Sequence, residues 1–348
     1  MNYASRFEIG TEHTMAKGTL KVQRYFEENE ILYMVYTLNN DPTEYTNKYV
    51  NVISIVYKYQ KRTGLTQART IEEFVQLELV RPLKYGVEME LVSPINSAQL
   101  ASKLEAKGIK VVSPNSTHQV VNGWKLVYDG SISAPSGYTG IELVSPPSTD
   151  LKDLEKVCEV LNEVGVKTNN SCGLHVHHDI NELKRQQIIR IYEFYNKYEN
   201  LINDFVSKSR VGNRFCKPVS SLIEKVRTCD TKEQLLSRIA GKGARSYYDN
   251  CRYYTLNLRS YLYYGTIEFR QGHGSTDFET ISNWILFTHR IIERSLQVGN
   301  NIEAPTQEQL NSWNTKSNML KDMSKELNIE RTKLEKNLKD RLQKRRIA

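Results

Sequence analysis

Three short stretches of the chain each present two ionisable side chains separated by one residue, inside a run that otherwise has β-strand character. They are Glu88 and Glu90 in YGVEMELVSP, His175 and His177 in CGLHVHHDI, and Glu268 and Arg270 in YGTIEFRQGHG. In a strand, residues i and i+2 point to the same face, so each pair is presented together while Val87, Met89, Val176, Ile267 and Phe269 face the other way. A face rich in carboxylate and imidazole is costly to bury without metal, phosphate or water. One such pair reads as a solvated strand face. Three pairs, with Glu142 in the parallel phrase GIELVSPP, predict a single sheet whose polar face is a site for metal and polyanion.

Hard divalent cations take oxygen ligands, and Glu88, Glu90, Glu142 and Glu268 supply four carboxylates. A histidine among them, His175 or His177, suits Mg²⁺ or Mn²⁺ in contact with phosphate, and mixed His and Glu ligands also suit zinc. Arg270 shares a face with Glu268, where a guanidinium can grip a phosphoryl group as charge builds on it. Arg259 in YTLNLRS is a second candidate clamp, with a cross-strand salt bridge as the alternative. Arg210, Arg214, Lys217, Lys242 and Arg245 lie in a basic stretch that includes GKGARS, of which Arg214, Lys242 and Arg245 are the candidate nucleotide contacts. That loop lacks the P-loop pattern, so it reads first as a linker and second as an ATP contact. Asp129 in YDGSI either caps a turn or binds and deprotonates an incoming amine. Cys172 has no cysteine-hydrolase motif around it and reads as packing.

The elements that must carry these residues follow from spacing. Residues 1 to about 80 predict a small all-β unit, a meander or an SH3-like barrel, from GTLKVQRYF, EILYMVYTL and YVNVISIVYKYQ with turn chemistry in EENE and NNDPTEYTN. KRTGLTQART follows as a linker. From Leu83, strands and helices alternate. SAQLASKLEAKG predicts a helix ended by Gly108. A second helix follows Ser148 or Thr149 and stops at Gly165. The strand with His175 and His177 comes next, with His178 leaving the strand toward solvent. A long amphipathic helix runs from about Glu182 to Ser207, its stripe of Ile188, Ile191, Tyr195, Tyr198, Ile202 and Phe205 belonging to a core. The last strands are RYYTLNLRS and TIEFRQ, before a helix starting near Asp277. Beyond Pro305, Leu320, Met323, Leu327, Leu334, Leu338 and Leu342 predict a long, charged surface helix.

A length of 348 residues fits two domains. The formal charge of +8 resembles a nucleic-acid signal until it is located. Lys316 to Arg346 holds 11 Lys/Arg against 5 Asp/Glu, so most of the excess is this one segment. Five cysteines with no CxxC pair predict reduced thiols rather than a disulfide framework. No apolar run approaches the roughly 18 residues of a membrane span, and MNYASRFEIG lacks a signal pattern. The expectation is a cytoplasmic protein without a membrane partner.

Taken together, the E-x-E strand, the DGS turn, ELVSP, CGLHVH and the final TIEFR followed by GST resemble the phage-type amidoligases, relatives of glutamine synthetase and glutamate–cysteine ligase. The resemblance covers about residues 82–300 and leaves out residues 1–80 and the segment 305–348. It implies an α+β protein whose glutamine-synthetase-like curved antiparallel sheet, with helices on one face, holds ATP and Mg²⁺ or Mn²⁺. The family roles implied are metal binding by Glu88, Glu90, Glu142, Glu268 and one of His175 and His177, and phosphoryl stabilisation by Arg270. The reaction implied is amide or isopeptide formation between a carboxylate and an amine through an acyl phosphate. Substrates would be small molecules or peptides, with protein or cell-wall acceptors admitted. Two rival readings accompany it: a nucleotide-free metal hydrolase using His175, His177 and Glu268, and a nucleic-acid or virion-associated binding protein acting through the N-terminal unit or basic tail.

Overall fold

A computed structural model describes residues 10, 12–28, 31–63, 83–112, 120–243, 250–296 and 305–347. The chain divides into two compact units. One comprises Met1–Leu83 with Leu296–Asn301 and Ile329–Lys333, and the other Lys84–Ser295 with Ile302–Asn328 and Leu334–Ala348.

The first unit holds strands β1 (Glu12–Met15), β2 (Gly18–Glu28), β3 (Ile31–Leu38) and β4 (Asp41–Lys48), then helix α1 (Tyr49–Arg62). The strands form an open antiparallel meander in chain order. Two expectations change here. The NNDPTEYTN turn contracts to Asn39 and Asn40, both at positive φ (54° and 62°), the geometry of a two-residue hairpin. DPTEYTNK becomes an exposed edge strand, where Pro42 is tolerated because an outer edge needs no donor. The run YVNVISIVYKYQ is helical rather than a third strand, so the unit is not all-β. Val52, Ile53, Val56, Tyr57 and Gln60 are its buried residues, a helical spacing that places one stripe on the core of Met15, Leu20, Val22 and Met34. Residues 64–70 of the expected linker, and 71–80, lie outside the described residues.

The second unit is built on strands β5 (Tyr85–Ser93), β6 (Lys125–Val127), β7 (Thr139–Val144), β8 (Gly173–Asp179), β9 (Leu256–Asn257) and β10 (Thr266–His273). Their order is β6-β7-β5-β8-β10-β9, antiparallel throughout. The main helices are α2 (Ser97–Ala106), α3 (Lys152–Val164), α4 (Arg185–Ile202), α5 (Phe278–Leu296), α6 (Gln307–Ser312), α7 (Lys316–Glu326) and α8 (Lys333–Ile347). One sheet face is apolar: Val87, Met89, Leu174, Val176, Ile267 and Phe269 are buried there. Tyr195 of α4 packs on Phe269, and Tyr192 donates its hydroxyl to the Leu256 carbonyl. The imidazole of His178 joins this back face instead of leaving toward solvent, 2.8 Å from Thr288 Oγ1 of α5 and 1% exposed. Strand alternation decides it, because His178 is out of phase with His175 and His177.

The C-terminal segment also departs from expectation. It forms three helices rather than one, with Asn328 and Arg331 at positive φ between the last two. Leu320, Leu327, Leu334, Leu338 and Leu342 are buried, and Arg341 of α8 donates to the carbonyls of Phe205 and Thr280. A charged helix can bury a leucine seam and still be solvated on its other sides.

Candidate active site

The strand register aligns the polar face into three rows. Gly86, His177, Glu268 and Asn257 stand opposite one another across β5, β8, β10 and β9. Val144, Glu88 and His175 form the next row, with Lys125 of β6 opposite Val144. Glu142 and Glu90 face each other in the third. Gly173 is two residues from His175 and falls in line with Glu90, whose Oε2 accepts its N–H at 2.5 Å. A bulge between Phe269 and Gly272 adds one residue to β10, which returns His273 to the row of Gly173. Gly272 is needed at the bulge, since a Cβ there would lie 2.5 Å from the Leu174 carbonyl oxygen and 2.8 Å from Trp284 Nε1.

His175 sits at the centre. Its Nδ1 is 3.2 Å from Glu88 Oε2 and 3.5 Å from Glu268 Oε1, and its Nε2 is 3.5 Å from Glu90 Oε1. Two three-residue sets, Glu88–His175–Glu268 and Glu90–Glu142–His175, each bring ligand atoms within 4.8 Å of one another. His177 stands beside the first set. Its Nε2 is 3.2 Å from Glu88 Oε1, and its Nδ1 and Thr266 Oγ1 are 2.9 Å apart. Glu268 is buried between Asn257, which donates to Oε2 at 2.5 Å, and Arg270, which pairs with Oε1.

Electrostatics separates the carboxylates. Burial raises Glu88, but the facing His177 charge and the hydrogen bonds of both histidines outweigh it and hold the carboxyl well below the usual range. Burial also raises Glu268, and Arg270 reverses that. Glu142 lacks such help. Burial, then the like charges of Glu88, Glu90 and Asp129, push it well above the ordinary carboxylate range. Carboxylates that repel one another in a buried cleft are what a bound cation relieves.

The remaining sequence candidates are placed less centrally. Asp129 Oδ1 accepts from the Ser131 N–H, as a turn cap does, while its charge is felt at Glu142. The Arg259 guanidinium donates to the carbonyls of Ala240 and Gly241 and to Cys251 Sγ. Arg214 is exposed, 4.4 Å over the Phe215 ring, and Lys242 is exposed; Arg245 lies outside the described residues. Cys172 is buried and its thiol raised by burial, as packing predicts.

Two further cations join the cleft beyond the sequence candidates, and in the sequence Arg210 is legible only as part of the basic stretch. Lys125 is 7% exposed in WKLV and feels the charges of Glu88 and Glu142. Its signal was alternation in a three-residue strand, too short to read alone. Arg210 lies in a single 3₁₀ turn, Lys208–Arg210, inside a stretch with no periodicity, and its Nη2 is 3.4 Å from His175 Nε2. His273 also lines a cavity of about 610 Å³ with Phe205, Ser207, Lys208, Glu279 and Arg341.

The family model described as putative amidoligase enzyme matches residues 81–292, the segment that holds every strand of this sheet. The chain belongs to that putative amidoligase family. No curated protein matches it. Among solved structures, this amidoligase-family chain resembles a bifunctional glutathione synthetase from Pasteurella multocida at 12% identity and a TM-score of 0.40. The match covers 75% of this chain and 47% of that one. The matched segment contains the three rows, while α8, with Arg341, lies beyond it.

Proposed function

We propose that the protein is an ATP-dependent carboxylate–amine ligase that forms an amide or isopeptide bond through an acyl phosphate. The observation that carries the reading is the convergence of Glu88, Glu90, Glu142, Glu268 and His175 on one face of one sheet, with buried Arg270 locked to Glu268. Oxygen-rich donor sets with a single imidazole fit Mg²⁺ or Mn²⁺ better than zinc, which favours nitrogen and sulfur. Glu88, His175 and Glu268 would hold one ion, and Glu90, Glu142 and His175 would hold a second. Such ions neutralise charge on a transferring phosphoryl group.

The chain's own residues do the rest. Glu268 fixes the Arg270 guanidinium, and Phe215 accepts from its Nε, so the fork is preorganised for charge that develops on the phosphoryl oxygens. Lys125 adds positive charge at the Glu88 and Glu142 end. Asp129, near Glu142, is the candidate to receive the amine proton. A glutamine-synthetase-like funnel is the architecture that this reading attaches to the sheet. The hydrolase alternative is less well supported, because His177 falls outside both donor sets.

The test is mass spectrometry of products after incubation with ATP, Mg²⁺ and a library of amino acids and peptides. The expected result is an adduct lighter than its two substrates by one water, with ADP release that requires both. Cleavage of library peptides without ATP, with no ligated adduct, would favour the hydrolase.

A further inference from the structure

Three buried arginines of the second unit have a carboxylate within 4.0 Å: Arg270 pairs with Glu268, Arg290 with Glu293, and Arg294 with Glu326. Arg210 is different. It is 3% exposed, yet among the described residues no carboxylate lies within 4.0 Å of it, and its Nε–H has no acceptor. Its Nη2 donates to the Arg270 carbonyl at 2.8 Å and approaches His175 Nε2 at 3.4 Å. A guanidinium cannot shed its proton to escape burial, so a buried one without a counter-charge is costly. The sequence also makes room for it. A Cβ on Gly173 would fall 2.7 Å from Arg210 Nη2 and 2.9 Å from His175 Nε2, so the strand carries glycine where the guanidinium enters.

We infer that Arg210 is an anion-binding residue of the cleft that takes an oxyanion of a reactant, phosphoryl or carboxylate, beside His175. The assignment rests on the ligase reading for the identity of its ligand, and it names a contact that reading left open. Arg270 already spends part of its fork on Glu268. Arg210 brings its charge and unspent donors to the other side of His175. A planar fork is suited to two oxygens of one phosphate or carboxylate.

The experiment is calorimetric titration of the full-length protein, in Mg²⁺ buffer, with inorganic phosphate and separately with acetate, repeated on Arg210→Met and Arg210→Lys. Removing hydrogen bonds to a charged group should weaken the bound anion at least about tenfold in Arg210→Met. Because no carboxylate is left unpaired, its unfolding midpoint in the absence of anion should stay within a few degrees of wild type. Loss confined to phosphate identifies a phosphoryl ligand, and loss confined to acetate a carboxylate; either supports the assignment. Should Arg210→Met fail to fold, Arg210→Lys decides: it keeps the charge, lacks the fork and should still bind at least about tenfold more weakly. Equal affinity in wild type and variant overturns the assignment, as does the absence of saturable binding of both anions to the wild type. No turnover is measured, so anion binding through Arg210 in a protein that makes no ligated product would leave this inference standing and sink the ligase reading.

Discussion

Glu88 and Glu142 are the same residue type a few ångströms of sheet apart, and their surroundings push them in opposite directions. Histidines facing Glu88 overcome its burial; at Glu142 burial and the like charges of Glu88, Glu90 and Asp129 outweigh Arg270. His175 belongs to both donor sets, so it is the residue whose loss should cost most in metal binding. Titration of Mn²⁺ followed by electron paramagnetic resonance should show His175→Ala binding weaker by on the order of 10²-fold, at least the effect of losing a ligand's outer support. Unchanged affinity would exclude the histidine from the coordination shell. Arg270→Lys keeps the charge but loses the planar fork. It should slow the chemical step by on the order of 10²-fold while changing nucleotide affinity much less, as rapid-quench kinetics would show. These residues were legible because two-residue spacing in a strand is a geometric statement. Lys125 and Arg210 were not, because burial and charge pairing depend on which distant segments meet.

Elements explain why some of the pattern misled. YVNVISIVYKYQ satisfies both a strand's composition and a helix's spacing, and packing on the meander selects the helix. The expected strand in RYYTLNLRS shrinks to two residues, enough to place Asn257 against Glu268. The bulge in β10 cannot be read from composition, although Gly272 marks it, and its consequence is the position of His273. Burial, then the charges of Arg341 and Arg210, lower this imidazole to about 4. An unfolded histidine takes up its proton below about 6.5, whereas the folded one refuses it until near 4. Stability is therefore full above the unfolded value and falls as pH drops through that window. Urea denaturation between these limits should show a steeper loss in the wild type than in His273→Gln, and identical slopes would contradict the burial of a neutral imidazole.

At the scale of the whole molecule, the family match begins at residue 81, past the meander strands and α1, and ends at 292, before α6, α7 and α8. No helix among the described residues is long and apolar enough to cross a membrane. The net positive charge of the last 30 or so residues first suggested a nucleic-acid tail or a free surface helix, yet their leucines are buried and Arg341 is tied to Phe205 and Thr280. Charge could be counted from the sequence, but the docking could not. The meander unit supplies none of the three rows, so a chain lacking residues 1–82 should bind ATP within a few-fold of the full-length protein. Loss of nucleotide binding in a truncation that keeps its far-ultraviolet circular dichroism would contradict this.

The central claim is that a carboxylate is activated by phosphoryl transfer in this cleft. Its most direct test uses a carboxylate substrate labelled with heavy oxygen in both carboxyl positions, incubated with the full-length protein, ATP, Mg²⁺ and the amine acceptor. An acyl-phosphate route carries one labelled oxygen into the inorganic phosphate released, because amine attack breaks the bond between the carbonyl carbon and that oxygen. Labelled phosphate in proportion to product is the predicted result. Product formed with unlabelled phosphate would contradict the account.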